Sequence, residues 1–158
     1  MSNNKKKKDT HNKGNSESKD SENKVMEVSS DKGESKNKYN ATEKFNNQNF
    51  STGSLSNDSI NVIKGFMKYH VQVISKTQRI TSSQLRNVYN VIIDKDLSAV
   101  TKRVKIAYVA ARNSNSPGMR ALLDKLDKML SNDVKSEIIR NFAEACVAYH
   151  KYFETLKK

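Results

Sequence analysis

The apolar residues of this 158-residue chain are divided unevenly along its length, and that division limits what can fold. Residues 1–55 contain 9 apolar side chains, whereas residues 56–158 contain 46. The first segment is dominated instead by 11 lysines, 10 asparagines and 9 serines. A segment with so little apolar surface cannot offset the entropy lost on ordering. We therefore predict a disordered Asn/Ser/Lys-rich tail over residues 1–55 and a folded domain over residues 56–158.

The apolar pattern after residue 56 predicts helices rather than strands. Only two glycines and one proline occur there, and no Asn-Gly or Asp-Gly pair marks a hairpin. Apolar residues instead recur at helical spacing in five segments, which start near Ile60, Thr81, Ser98, Ser116 and Asp133. Thr81 and Gln84 have the spacing of a capping box, and Pro117 follows Ser116 as a first helical residue. The predicted fold class is all-α, a compact bundle of about five helices.

The segment that starts near Ser98 is apolar on more than one side. Its main stripe consists of Val100, Val104, Ala107, Tyr108 and Ala111. Three further apolar residues, Ile106, Val109 and Ala110, lie outside that stripe. A helix that is apolar nearly all round is usually buried on more than one side. We therefore expect the main stripe to face the core and the remaining residues to form a second protein surface.

Most of the positive charge belongs to the predicted domain. The chain carries a net charge of +12, and residues 56–158 hold 18 basic and 9 acidic residues. Between Asp96 and Asp124 no acidic residue occurs, and Lys102, Lys105 and Arg112 form one stripe nearly opposite the main apolar stripe. Basic side chains without local carboxylates suit phosphates, although an ordinary solvated basic face is an open alternative. The candidate nucleic-acid-binding residues are Arg79, Arg86, Lys102, Lys105, Arg112 and Arg120.

Catalytic and metal-binding groups are sparse. Cys146 and His150 are four residues apart on one predicted helix, but the chain has no second cysteine to complete a soft metal site. We expect Cys146 to be a buried structural residue, and we predict no enzymatic activity, no metal and no cofactor. The longest apolar run has six residues, which is too short to span a membrane. With no secretory signal pattern and one cysteine, the predicted location is the cytoplasm.

Three stretches of the sequence are similar to one family. TSSQLRNVYNVI (Thr81–Ile92), KIAYVAARN (Lys105–Asn113) and FAEACVAYHKYF (Phe142–Phe153) resemble the small subunit of type III-A CRISPR–Cas interference complexes, the Csm small-subunit family. The resemblance covers about residues 58–156, and it depends on the order and spacing of the three motifs. The Asn/Ser/Lys tail is not part of the family pattern.

The resemblance implies a non-catalytic helical bundle that acts in antiviral defence. Several copies would stack as an inner filament and hold the target RNA along the guide RNA, beside the backbone and large subunits of the complex. By motif, Arg86 and Arg112 are the leading RNA-contacting residues, while Arg86 has the alternative role of bridging helices within the bundle. Two other functions remain open. One is a stand-alone helical DNA-binding regulator that reads bases with Asn87 and Asn90, and the other is a scaffold whose positive charge is incidental.

Overall fold

The computed structural model describes the backbone of residues 32–156 and the side chains of residues 40–156. Its six α-helices, in chain order, are α1 (Lys32–Asn47), α2 (Asn57–Lys68), α3 (Ser82–Ile93), α4 (Ala99–Arg112), α5 (Pro117–Ser131) and α6 (Ser136–Thr155). A π-helical turn, Tyr69–Val73, continues α2, and a 3₁₀ turn, Lys76–Gln78, precedes α3. Residues 32–156 contain no strand, so the predicted all-α class is confirmed, with six helices in place of about five.

Local sequence signals determine where four of the helices begin. The side chains of Ser56, Thr81, Ser98 and Ser116 each accept a hydrogen bond from a backbone N–H in the first turn of the helix that follows. At α3 the capping box is complete, because Gln84 also accepts from the backbone N–H of Thr81. Caps of this kind satisfy backbone donors that the helix itself leaves unpaired.

The core lies between α6 and the helices that surround it. Helix α6 packs against α2 and α3, while α4 packs against both α3 and α5. The buried residues of α6 are Ile139, Phe142, Ala143, Cys146, His150 and Phe153. Tyr152 on the same helix and Leu156 just after it are apolar but exposed. The predicted start near Asp133 was early, since α6 begins at Ser136 after a left-handed turn at Asp133 (φ 52°).

The predicted boundary at residue 55 needs correction, because part of the predicted tail belongs to the core. Phe45 on α1 is completely buried, and Phe50 beyond the helix is nearly so. The Phe45 ring stacks on that of Phe66, with centroids 3.8 Å apart, and Phe50 lies 4.8 Å from Phe142. The folded unit therefore includes residues before 55. Residues 1–31 of the predicted tail lie outside the described residues.

Helix α1 is attached to the bundle by polar contacts as well as by its aromatic residues. The ammonium of Lys125 on α5 donates to the carbonyl oxygens of Asn46 and Gln48, at 2.8 and 3.0 Å, which occupies acceptors at the C-terminal end of α1. The same ammonium lies 5.6 Å from the ring centre of Phe50. At the other side, Thr42 and the ring of the buried His70 are joined by a 3.0 Å hydrogen bond. These contacts join the α1 region to α5 and to the π-helical turn.

Across residues 32–156, none of the helices combines the length and the apolar character needed to cross a membrane.

Candidate nucleic-acid interface

Helix α4 carries three of the six candidate residues, and its orientation differs from the one predicted. Its buried residue is Ile106, with Val109 and Ala110 half-buried beside it. The main stripe points outward instead: Val100, Val104 and Tyr108 are 69%, 65% and 63% exposed, and Ala107 and Ala111 are exposed as well. The expectation that this stripe faces the core was therefore wrong. The chain uses the other apolar side of α4 to pack on α3 and α5.

Two basic side chains of α4 are used to hold the helix in this orientation. Lys102 is half-buried and donates through Nζ to the carbonyl oxygen of Ile92, 2.8 Å away at the end of α3. Arg103 donates through Nε to Asp127 on α5 at 2.7 Å, and this contact raises the pKa of the Arg103 guanidinium. The lack of acidic residues nearby in the sequence did not leave Arg103 unopposed, because its partner comes from 24 positions further along. Lys102 and Arg103 therefore contribute to the packing of α4.

Arg79 and Arg120 are also engaged with the chain. Arg79 is half-buried, and its guanidinium donates to the carbonyl oxygens of Ile74 and Gln72, at 3.0 and 3.2 Å. Those bonds tie the loop before α3 to the end of the π-helical turn. Arg120 is more exposed, and one of its terminal nitrogens donates to the carbonyl oxygen of Ser114 at 2.6 Å. Arg79 is thus positioned as a structural residue, whereas Arg120 retains donors that face solvent.

The other three candidates are exposed and keep their charges available. Within residues 40–156, the side chains of Arg86, Lys105 and Arg112 make no hydrogen bond and no ion pair. Lys105 and Arg112 are seven residues apart, two turns of α4, so they share one edge of the helix. The Arg112 guanidinium lies 5.6 Å from the ring centre of Tyr108, which holds it along the surface of the helix.

Arg86 on α3 does not lie beside the edge of α4 that carries Lys105 and Arg112. On α3, Gln84 contacts Asn113 at the end of α4, whereas Ser82 contacts Glu154 on α6, so the two flanks of α3 face different helices. Arg86 is four residues after Ser82 and therefore lies on the α6 flank. Arg112 and Arg86 are at the same end of the bundle, because α3 and α4 run in opposite directions, but α3 lies between them.

A polar groove opens beside the turn that joins α4 to α5. It has a volume of about 670 Å³ and lies between α1, the 3₁₀ turn and the start of α5. The polar groups along it include Asn46, Gln78, Asn115, Arg120 and Asp124. Amides and a guanidinium offer donors for a polar chain, while Asp124 repels an anion at that end of the groove. No feature of the sequence pattern indicated this groove, because its walls come from three segments more than 30 residues apart.

The chemistry available at this surface is electrostatic. In the part of the chain that the structure describes, no three His, Cys, Asp or Glu side chains are grouped so as to hold a metal ion. Cys146 is buried, which raises the pKa of its thiol far above the usual range and keeps it protonated. His150 is bonded through Nε2 to the carbonyl oxygen of Ile80 at 2.9 Å. Exposed guanidinium and ammonium groups bind phosphate oxygens without any of these groups.

No protein-family model, no curated protein and no solved structure matches this chain.

Proposed function

We propose that this chain is a non-catalytic small subunit of a type III-A CRISPR RNA-guided effector complex, acting in the cytoplasm in antiviral defence. In this role it holds guide and target RNA through the RNA backbone, next to the backbone and large subunits and to neighbouring copies of itself. The proposal begins from the resemblance of the three sequence motifs at Thr81–Ile92, Lys105–Asn113 and Phe142–Phe153 to the Csm small-subunit family.

The observation that carries the RNA-binding part is the pair Lys105 and Arg112. Both are exposed, both lie on one edge of α4, and neither is neutralised within residues 40–156. Positive groups of this kind bind phosphates and release counterions, and such contacts carry no base sequence information. This property suits a subunit that must accept whatever target the guide specifies. Arg120, in the first turn of α5, supplies a further positive group that lines the polar groove.

The test compares two double variants that remove the same charge. Lys105→Ala with Arg112→Ala removes the proposed contacts. Lys64→Ala with Lys68→Ala removes two exposed lysines from α2, which packs against α1 and α6. Binding of single-stranded RNA is measured for each at two salt concentrations. We expect the α4 variant to weaken binding equally for unrelated RNA sequences. Its slope of log affinity against log salt should fall by about 1.4, since each lost phosphate contact removes roughly 0.7.

Equal losses in the two double variants would mean that binding follows net charge alone and that the α4 edge is not the contact. Arg86→Ala, measured separately, tells whether the far flank of α3 also touches RNA. The assignment to an effector complex requires a different experiment, in which tagged protein is purified from its own cells. Guide-sized RNA and larger protein subunits should co-purify, and their absence from a stable preparation would contradict the assignment.

The alternative of a stand-alone DNA-binding regulator keeps one favourable observation, because Asn87 and Asn90 are both exposed on α3 beside Arg86. A recognition helix, however, needs room to enter a major groove. Helix α3 packs against α4 on one flank and α6 on the other. Competition between duplex DNA and single-stranded RNA separates the two functions, since a regulator prefers the duplex and a particular base sequence.

A further inference from the structure

Tyr108 on α4 is an aromatic ring that the fold leaves open to solvent. Its side chain is 63% exposed, and among residues 40–156 the other exposed aromatic side chain is Tyr152 on α6. One exposed ring is ordinary on a protein surface, so exposure alone assigns no role to either residue. The two rings differ in the charge beside them. Lys151, next to Tyr152, lies 3.5 Å from the carboxylate of Glu154, so the positive charge there is opposed within the chain.

Two available cations lie on either side of Tyr108 along the helix. Lys105 comes three residues before the ring and Arg112 four residues after it, so both side chains are its neighbours on the helix surface. The Arg112 guanidinium lies 5.6 Å from the ring centre. Within residues 40–156 neither cation has an ion pair. The exposed ring therefore lies between two positive groups that can accept a ligand.

The surface around Tyr108 has an apolar side and a positive side. The rotation of the helix places the side chains across this surface in the order Val104, Tyr108, Arg112 and Lys105. Val104 is 65% exposed, so the apolar side is open as well. A nucleotide has the same two parts, a flat apolar base face and a charged phosphate. Proteins that bind single-stranded nucleic acid combine aromatic side chains for the bases with positive groups for the backbone.

We propose that the Tyr108 ring stacks on an unpaired RNA base while Lys105 and Arg112 bind the phosphates beside that base. The inference rests on the proposed RNA contact and deepens it, because it names an unpaired nucleotide as the ligand. Every base has a π-face, so a stacking contact tolerates any sequence, as the proposed function requires. A base inside a duplex is stacked between its neighbours, and exposing its face costs unstacking energy. The five N–H donors of Arg112 allow it to bind a phosphate while its guanidinium remains beside the ring.

Binding of single-stranded RNA at two salt concentrations tests the stacking contact. Tyr108→Ala should weaken binding about fivefold or more, the lower limit for one stacked base, whereas Tyr108→Phe keeps the ring and should bind as the native chain does. The loss should be the same at both salt concentrations, because stacking releases no counterions and leaves the salt slope unchanged. Tyr152→Ala is the matched control, since it removes an exposed ring whose neighbouring lysine is paired. An equal loss in Tyr152→Ala would overturn the proposal.

A strand of equal length that carries abasic residues separates stacking from an effect on the cations. Tyr108→Ala should bind the abasic strand, and double-stranded RNA, as tightly as the native chain does. An equal loss on the abasic strand would mean that the ring acts only by positioning Arg112, which would refute stacking.

The failure of this inference and that of the proposed function give different results. Unchanged RNA binding by Tyr108→Ala, together with a loss in the Lys105→Ala and Arg112→Ala double variant, would refute stacking and leave the phosphate contacts in place. Native RNA binding by that double variant as well would contradict the RNA contact itself. If Tyr108→Ala binds RNA normally but no longer co-purifies with larger subunits, the ring contacts a protein and the stacking assignment is wrong.

Discussion

Replacing Phe45 by Ala tests where the folded unit begins. The Phe45 side chain is completely buried, and it is surrounded by the rings of Phe50, Phe66 and Phe142. Burying a phenylalanine removes at least ~150 Å² of surface from water. At about 25 cal/mol per Å² that area is worth about 4 kcal/mol. Measured Phe-to-Ala changes in cores span about 3–5 kcal/mol, so the two figures agree.

The assay is urea denaturation followed by circular dichroism, with the free energy of unfolding compared between Phe45→Ala and the native chain. We expect a loss of about 3–5 kcal/mol, which lowers the melting temperature by roughly 10–20 °C for a domain of this size. Tyr108→Ala is the control, because it removes an exposed aromatic ring and should change stability by less than about 0.5 kcal/mol. A loss below about 1 kcal/mol for Phe45→Ala would refute the inclusion of α1 in the core and restore a boundary near residue 55.

Three further measurements test the interior and one surface contact. Gly118→Ala should destabilise the fold by about 1–3 kcal/mol, since a Cβ there would lie 2.5 Å from the His70 ring. Gly65→Ala is the control, because a Cβ at Gly65 meets open space, and it should be neutral or slightly stabilising. Thermal denaturation measures both variants. Cys146→Ser should cost about 1–3 kcal/mol of unfolding free energy in urea through a buried hydroxyl, and a thiol reagent should label native Cys146 only at the rate of unfolding. Glu154 accepts a hydrogen bond from Ser82, which lowers its pKa, so its stabilisation is present above the ordinary glutamate pKa and is lost as the pH falls through the lowered value. The stability difference between Glu154→Gln and the native chain should therefore shrink below about pH 4, and a difference that grows in acid would contradict this assignment.

The helix starts were predictable because capping is local. Ser98, Ser116 and the Thr81–Gln84 pair each act on backbone groups within three residues, so the sequence nearby contains the whole signal. Helix α1 was missed for the opposite reason. Its sequence is polar, and it depends on Phe45, whose partners Phe66 and Phe142 are 21 and 97 positions away. Two phenylalanines at Phe45 and Phe50 in an otherwise polar segment were the available signal.

The sequence identified the basic residues of the candidate interface, but it did not show which of them are bonded to other groups within the fold. Lys105 and Arg112 are exposed as expected, because two turns of a helix place them on one edge whatever the surrounding fold is. Arg79 depends on carbonyl groups that become available only when the π-helical turn ends at Val73. Arg103 depends on a carboxylate from the next helix. Contacts with residues distant in the sequence therefore determine which basic side chains remain available. The number of charges nearby in the sequence does not reveal those contacts.

The orientation of α4 shows why its sequence pattern had two readings. One side offers Ile106, Val109 and Ala110, and the other offers Val100, Val104 and Tyr108. Both sides are apolar, so burial alone does not choose between them. Packing the Ile106 side allows Arg103 to meet Asp127 and Lys102 to reach the end of α3. Packing the Val104 side would turn Arg103 and Lys102 away from those partners. The polar contacts thus settle the orientation of α4 within the chain, and Val100, Val104 and Tyr108 remain exposed.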